Sequence, residues 1–159
     1  MFDSGIGGLT VLKEVRHLLP NEHILYLGDT ARVPYGNKSP QTITKYALES
    51  AIFLITKGIK ILVVACNTSS ALALGVLQKK LPIPVLGVIE PGAAAAVRHS
   101  KNKKIGIIGT KATINSMAYT HAMKRLDSNI EVFSKACPLF VPIAEEGLEN
   151  DKVAFFMAE

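Results

Sequence analysis

The stretch Lys60-Ile-Leu-Val-Val-Ala-Cys66-Asn-Thr-Ser-Ser70 passes from an unbroken apolar run to a polar cluster at a single cysteine. An Ile- and Val-rich run bounded by polar residues predicts a strand, Ile59 to Ala65, buried on both faces of a sheet. The polar cluster that follows is suited to opening a helix. Strand-to-helix succession of this kind builds parallel α/β sheets, whose ligand crevice lies at the carboxyl ends of the strands. Cys66 falls at such an end. Helix-terminal N–H groups there favour a thiolate or a bound anion, so a depressed thiol pKa is expected. A buried structural cysteine is the competing reading, because a free thiol packs like a small hydrophobe.

Outward from that stretch the chain alternates helix and strand in both directions. Leu9, Leu12, Val15, Leu18 and Leu19 keep helical spacing over Gly7 to Leu19, Pro20-Asn21 stops that helix, and His23 to Leu27 reads as a short strand. Ser39 is placed to cap a helix that starts at Pro40 and ends at Gly58. Downstream, Thr68 to Leu81 is expected as one helix, Pro84 to Val88 as a strand and Gly92 to His99 as an alanine-rich helix. After Lys101-Asn-Lys-Lys104 the rhythm repeats: strand Ile105 to Ile108, helix Ala112 to Leu126, strand Ile130 to Ser134. The expected fold class is α/β, with a Rossmann-like parallel sheet as the economical topology.

Two other polar loops, Asp3-Ser4-Gly5 and Pro34-Tyr35-Gly36, also follow apolar runs, so three loops are expected to meet at one crevice. The glycine-rich Asp3-Ser-Gly-Ile-Gly-Gly8 admits a rival reading as a phosphate-binding loop of a small-anion or nucleotide module. It lacks a following Gly-Lys-Ser/Thr and the G-x-G-x-x-G spacing.

The chain has 159 residues, 48% of them hydrophobic, enough for a substantial core. Eighteen Lys and Arg against 13 acidic residues give a net charge of +5, but the cations are dispersed and few aromatics lie among them. That pattern argues against nucleic-acid binding and supports only mild attraction of anionic substrates. No apolar stretch reaches the roughly 18 uncharged residues of a membrane span. His17, His23, His99 and His121 are scattered without metal-ligand spacing, so no metal is expected. Two cysteines make no disulfide framework and no signal peptide opens the chain, so a cytoplasmic location is expected.

Phe2-Asp-Ser-Gly-Ile-Gly-Gly-Leu-Thr-Val11, Gly28-Asp-Thr-Ala-Arg-Val-Pro-Tyr-Gly36 and Val63-Val-Ala-Cys-Asn-Thr68 resemble the glutamate racemases of the aspartate/glutamate racemase superfamily. So do Gly87-Val-Ile-Glu-Pro-Gly92, Ile107-Ile-Gly-Thr-Lys-Ala-Thr113 and Ala136-Cys-Pro-Leu-Phe-Val-Pro142, in the same order. The resemblance implies cofactor-independent inversion of the glutamate α-carbon by two thiols on opposite sides of the substrate. It implies that Cys66 is the first-domain thiol, that Tyr35, Gly36, Asn67 and Thr68 hold substrate, and that Asp3 and Ser4 belong to the loop that meets the ammonium group and helps orient the bases, a plain turn or cap residue being the competing reading of Asp3. Thr110 and Thr113 match positions that meet a substrate carboxylate, with Thr113 also a candidate helix cap. Glu145 or Glu146 matches an acidic residue near the active site, and the choice between them stays open. Glutamate is the implied partner, D-glutamate for peptidoglycan the implied product, and a homo-oligomer is compatible with the resemblance.

Cys137 stands in Ala-Cys-Pro-Leu and is read as structural, because the family's second thiol belongs to a Gly-Cys-Thr-His-Tyr-Pro-like block that these 159 residues do not contain. Two partial domains are expected, 1–95 and 96–159, with the boundary between residues 92 and 103. The family extends beyond Glu159 and places a short apolar strand before Phe-Asp-Ser-Gly, so an amino-terminal part of a longer chain is expected, with a central strand missing. A non-catalytic remnant with a partial glutamate site is the alternative.

Overall fold

The computed structural model describes residues 1–158. Four strands, β1 (Phe2–Asp3), β2 (Leu27–Gly28), β3 (Leu62–Val64) and β4 (Val85–Gly87), form a parallel sheet in the order β2-β1-β3-β4. A second parallel sheet pairs β5 (Lys104–Gly109) with β6 (Glu131–Ala136), Lys104 opposite Glu131 through Gly109 opposite Ala136. The expected α/β parallel architecture is therefore present in both halves. The inner strand thought missing is supplied by Phe2–Asp3, which pairs with Leu27–Gly28 on one side and Val64 on the other. With so short a neighbour, the strand expected over His23 to Leu27 registers only at Leu27–Gly28. Residues before it still run beside the chain start, the Met1 ammonium donating to Leu25 O at 2.7 Å.

Helices α1 (Leu9–Leu18), α2 (Pro40–Ile55), α3 (Asn67–Leu72) and α4 (Leu74–Lys80) flank the first sheet. Ser39 caps α2, its Oγ accepting from Thr42 N at 3.2 Å, with Pro40 fixing φ in the first turn. Ile43, Ala47, Ala51 and Leu54 of α2 and Leu77 of α4 bury against Phe2, Leu62, Val64 and Val85. Only that sheet face is sealed. The other carries Val63, half-buried, and Leu86, 53% exposed, and α1 contributes no fully buried residue. The expectation that β3 is covered on both faces is thus corrected.

The single helix expected over Thr68 to Leu81 breaks at Ala73, where φ reaches −112°. The break seats Leu74 over Gly87, where an added Cβ would lie 2.7 Å from Leu74 Cδ2. Helix α5 (Ile89–His99) starts before the expected Gly92, since Pro91 is tolerated in a first helical turn. The helix expected over Ala112 to Leu126 divides into α6 (Lys111–Asn115) and α7 (Ala118–Leu126) at Met117, which adopts φ +57°. Two helices complete the described chain, α8 (Phe140–Glu145) and α9 (Lys152–Ala158). Ile89 and Ala93 of α5 share a second core with Ala122, Met123 and Ile130. Among the described residues, no helix is long and apolar enough to cross a membrane.

Candidate active site

The ends of β1 and β3, a 3-10 turn at Tyr35–Asn37 and the start of α6 enclose a cleft of about 560 Å³. Asp3, Ser4, Tyr35, Gly36, Cys66, Asn67, Thr68, Thr110 and Thr113 all line it. Residues more than 100 positions apart in the chain thus reach one cavity because the strand ends of both parallel sheets, β1 and β3 of the first and β5 of the second, border it. Gly8 makes this packing close. A Cβ there would lie 2.6 Å from Asp3 Cβ and 3.0 Å from Ala65 Cβ, so the start of α1 presses directly onto the strand ends.

Cys66 is the N-cap of α3, its sulfur accepting from Ser69 N at 3.4 Å. The thiol donates to Ser4 Oγ, also at 3.4 Å, and only 4% of the residue is exposed. Burial pushes the thiol pKa up, the Asp3 carboxylate adds to the rise, and hydrogen bonding with Ser4 and Ser69 opposes it. The expected depression is therefore reversed: desolvation and a like charge outweigh the helix start. A cation placed beside Asp3 would remove that repulsion and favour the thiolate.

In the same cleft, three hydroxyls form a triangle. Thr68 Oγ1 lies 2.9 Å from Thr110 Oγ1 and 3.2 Å from Thr113 Oγ1, and the latter two are 3.0 Å apart. Thr110, rather than Thr113, caps α6, its Oγ1 accepting from Thr113 N at 3.2 Å. Each hydroxyl has one proton to donate, and the triangle can redirect these toward an anion. Gly36 packs against it so tightly that an added Cβ would sit 2.3 Å from Thr110 Cβ.

The Tyr35 hydroxyl donates to the Asp29 carboxylate instead of facing the cleft as a free donor. Burial and that bond push its pKa well above the ordinary phenol value, so it remains protonated. What the turn offers a ligand is its backbone N–H groups. Glu145 resolves the alternative left by the sequence: its carboxylate accepts from Ile6 N at 2.9 Å on the cleft rim, whereas Glu146 is exposed and outside the lining. Tyr119, which sequence reasoning did not single out, donates to Asn67 Oδ1 at 2.6 Å and packs on Gly92. Its helical spacing marks a core face and carries no sign of a polar contact to a residue 52 positions away. Cys137 lines a separate apolar groove with Pro138, Leu139 and Phe140. Among the described residues, no three His, Cys, Asp or Glu side chains gather to hold a metal ion.

The alkylation of Cys66 by iodoacetamide gives a direct check on the local field. In a Cys137→Ser background, the rate is expected to rise with pH through a midpoint above that of a free thiol, about 8.5. Because Asp3 raises the pKa, Asp3→Asn is expected to move the midpoint down, increasing the rate at neutral pH. A midpoint unmoved or raised by Asp3→Asn would contradict this account.

The fold and this cleft coincide with a known family: the Asp/Glu/Hydantoin racemase model matches residues 9–158, and the chain belongs to that family. Among its relatives, the glutamate racemase of Geobacter metallireducens is 58% identical over 158 residues, covering 99% of this chain and 58% of that protein. The glutamate racemase of Aquifex aeolicus is 60% identical over 153 residues, 96% and 59% of the two chains. In three dimensions, glutamate racemase isoform RacE1 from Bacillus anthracis superposes with a TM-score of 0.93 at 45% identity, over 98% of this chain and 59% of that one. The Francisella tularensis glutamate racemase in complex with D-glutamate gives 0.89 at 45% identity, over 99% and 59%. The chain thus spans about three fifths of the length of these relatives.

Proposed function

We propose that this chain carries the glutamate-binding cleft and one catalytic thiol of a cofactor-independent glutamate racemase, which supplies D-glutamate for peptidoglycan in the cytoplasm. The observation that carries the reading is the set of groups sharing one cleft: the Asp3 carboxylate beside Cys66, together with the Thr68–Thr110–Thr113 hydroxyl triangle. A dicarboxylic amino acid has the complementary pattern. Its ammonium group pairs with Asp3, and its carboxylates accept from the threonine hydroxyls and the first amides of α3 and the Tyr35 turn.

Binding of the ammonium beside Asp3 cancels the repulsion that holds the Cys66 thiol up, so the substrate itself helps generate the base. The thiolate takes the α-proton and becomes a thiol. The electron pair left on the α-carbon is shared with its carboxylate, where hydrogen bonds stabilise the growing charge. Inversion requires a proton delivered from the opposite face, a role the resemblance gives to a thiol in a Cys-Thr-His block outside these 159 residues. The proposed domain division at residues 95–96 belongs to the same reading; that position lies inside α5, whose Ile89 and Ala93 pack with Ala122 and Met123 of α7, so a division ahead of α5 fits the packing better.

The nucleotide alternative is disfavoured by the glycine loop itself. Gly5 N is already bonded to Asp3 Oδ2 at 2.9 Å and Ile6 N to Glu145, which places two carboxylates where a phosphate would sit. Thermal unfolding in the presence of D-glutamate, L-glutamate, ADP and ATP tests the choice. Stabilisation by glutamate alone is expected; stabilisation by the nucleotides alone would replace the racemase reading with the nucleotide one.

A further inference from the structure

Tyr35 is only 1% exposed, and its neighbours form a connected charged cluster. Asp29 Oδ2 accepts from both the Tyr35 hydroxyl and Arg32 Nε, the latter at 2.7 Å. The other arm of Arg32 reaches the Glu49 carboxylate on α2, and its guanidinium carbon lies 4.1 Å above the centre of the Tyr46 ring. Tyr46 in turn packs on Tyr35, ring centres 5.7 Å apart. The backbone ties this cluster to the site: Asp29 N donates to Asp3 O and Arg32 N to Asp29 O, both at 3.0 Å.

An exposed ion pair is worth little. This one differs in kind, because the Asp29 side chain is 10% exposed, Arg32 is 31% exposed, and a guanidinium joins two carboxylates with an aromatic face. The cluster stops the Tyr35–Asn37 turn from retreating, and the front of that turn is Gly36, pressed on Thr110.

We infer that Arg32, through Asp29 and Glu49, is a positioning residue that holds Gly36 against Thr110 and so fixes the threonine triangle in the cleft that Cys66 also lines. A planar fork is needed for this, since it satisfies two carboxylates in fixed directions while stacking on Tyr46. The affinity consequence rests on the reading of the cleft as a glutamate site; the positioning itself does not.

Arg32→Gln tests it in the full 159-residue chain. In the ligand-free protein, the nuclear Overhauser effect between the Gly36 α-protons and the Thr110 γ-methyl group is expected to be lost at a temperature well below the unfolding midpoint. Calorimetric titration with D-glutamate is expected to give an affinity lowered about 10-fold, the scale of a lost charge-assisted hydrogen bond. An unchanged Overhauser effect in the folded variant overturns the inference, whatever its thermal stability. If the unsubstituted chain binds no D-glutamate, the glutamate reading fails, while the Overhauser effect still decides the positioning role. Should Arg32→Gln not fold, Glu49→Ala decides in its place, since it removes the acceptor of one arm of the fork from an exposed position. A weakened Gly36–Thr110 effect there supports the inference, and an unchanged one overturns it.

Discussion

Replacing Cys66 with serine is expected to lower glutamate racemisation about 10³-fold in kcat, the scale of losing a general base, with KM changed only a few-fold. The substitution is nearly isosteric, and the serine hydroxyl can still bond Ser4 and cap α3 as the sulfur does. Chemistry is what changes: an alkoxide is far less accessible than a thiolate, even after a substrate ammonium has cancelled the influence of Asp3. The measurement is circular dichroism of glutamate over time, in a racemising protein that carries these residues. Cys137→Ser is expected to leave turnover intact, because its sulfur lies outside the cleft and donates to Lys135 O, at 3.9 Å. Turnover that survives Cys66→Ser, or vanishes in a folded Cys137→Ser protein, would reverse the two assignments.

Gly36→Ala is expected to weaken D-glutamate binding about 30-fold and to lower stability by about 2 kcal/mol, the range of overpacking in a tight contact. The new methyl group would lie 2.3 Å from Thr110 Cβ and 2.6 Å from its Cγ2, so either the turn or the start of α6 must move. Neither movement is local. The turn is held from behind by Tyr35 and Asp29, and Thr110 is bonded to both Thr68 and Thr113. Separation of Gly36 from Thr110 therefore pulls the hydroxyl triangle apart. Isothermal titration together with urea unfolding checks both effects. Binding unchanged by Gly36→Ala would show that the triangle does not receive a substrate carboxylate.

Local chemistry in the sequence was enough to define several elements of this protein. Ser39-Pro40 sets the start of α2 because a hydroxyl cap and a fixed φ act over one turn of chain. The run before Cys66 places β3, narrowed from Ile59–Ala65 to Leu62–Val64, and the polar cluster after it opens α3, since hydrophobic patterning and the polar switch sit side by side; that the Cys66 sulfur itself caps the helix is seen only in the structure. The repeating alternation likewise predicted parallel sheets in both halves. Tertiary contacts decided what those patterns do not encode. The long helices divide at Ala73 and at Met117, positions with no proline to signal a break. Packing of Leu74 over Gly87 fits the first break. Thr68 meets Thr110 and Thr113, Tyr119 meets Asn67, and Glu145 rather than Glu146 reaches Ile6, all by approach of distant segments. The direction of the Cys66 shift belongs to the same class. A helix start is visible in sequence, but desolvation and the nearby Asp3 carboxylate exist only once β1 and β3 lie side by side.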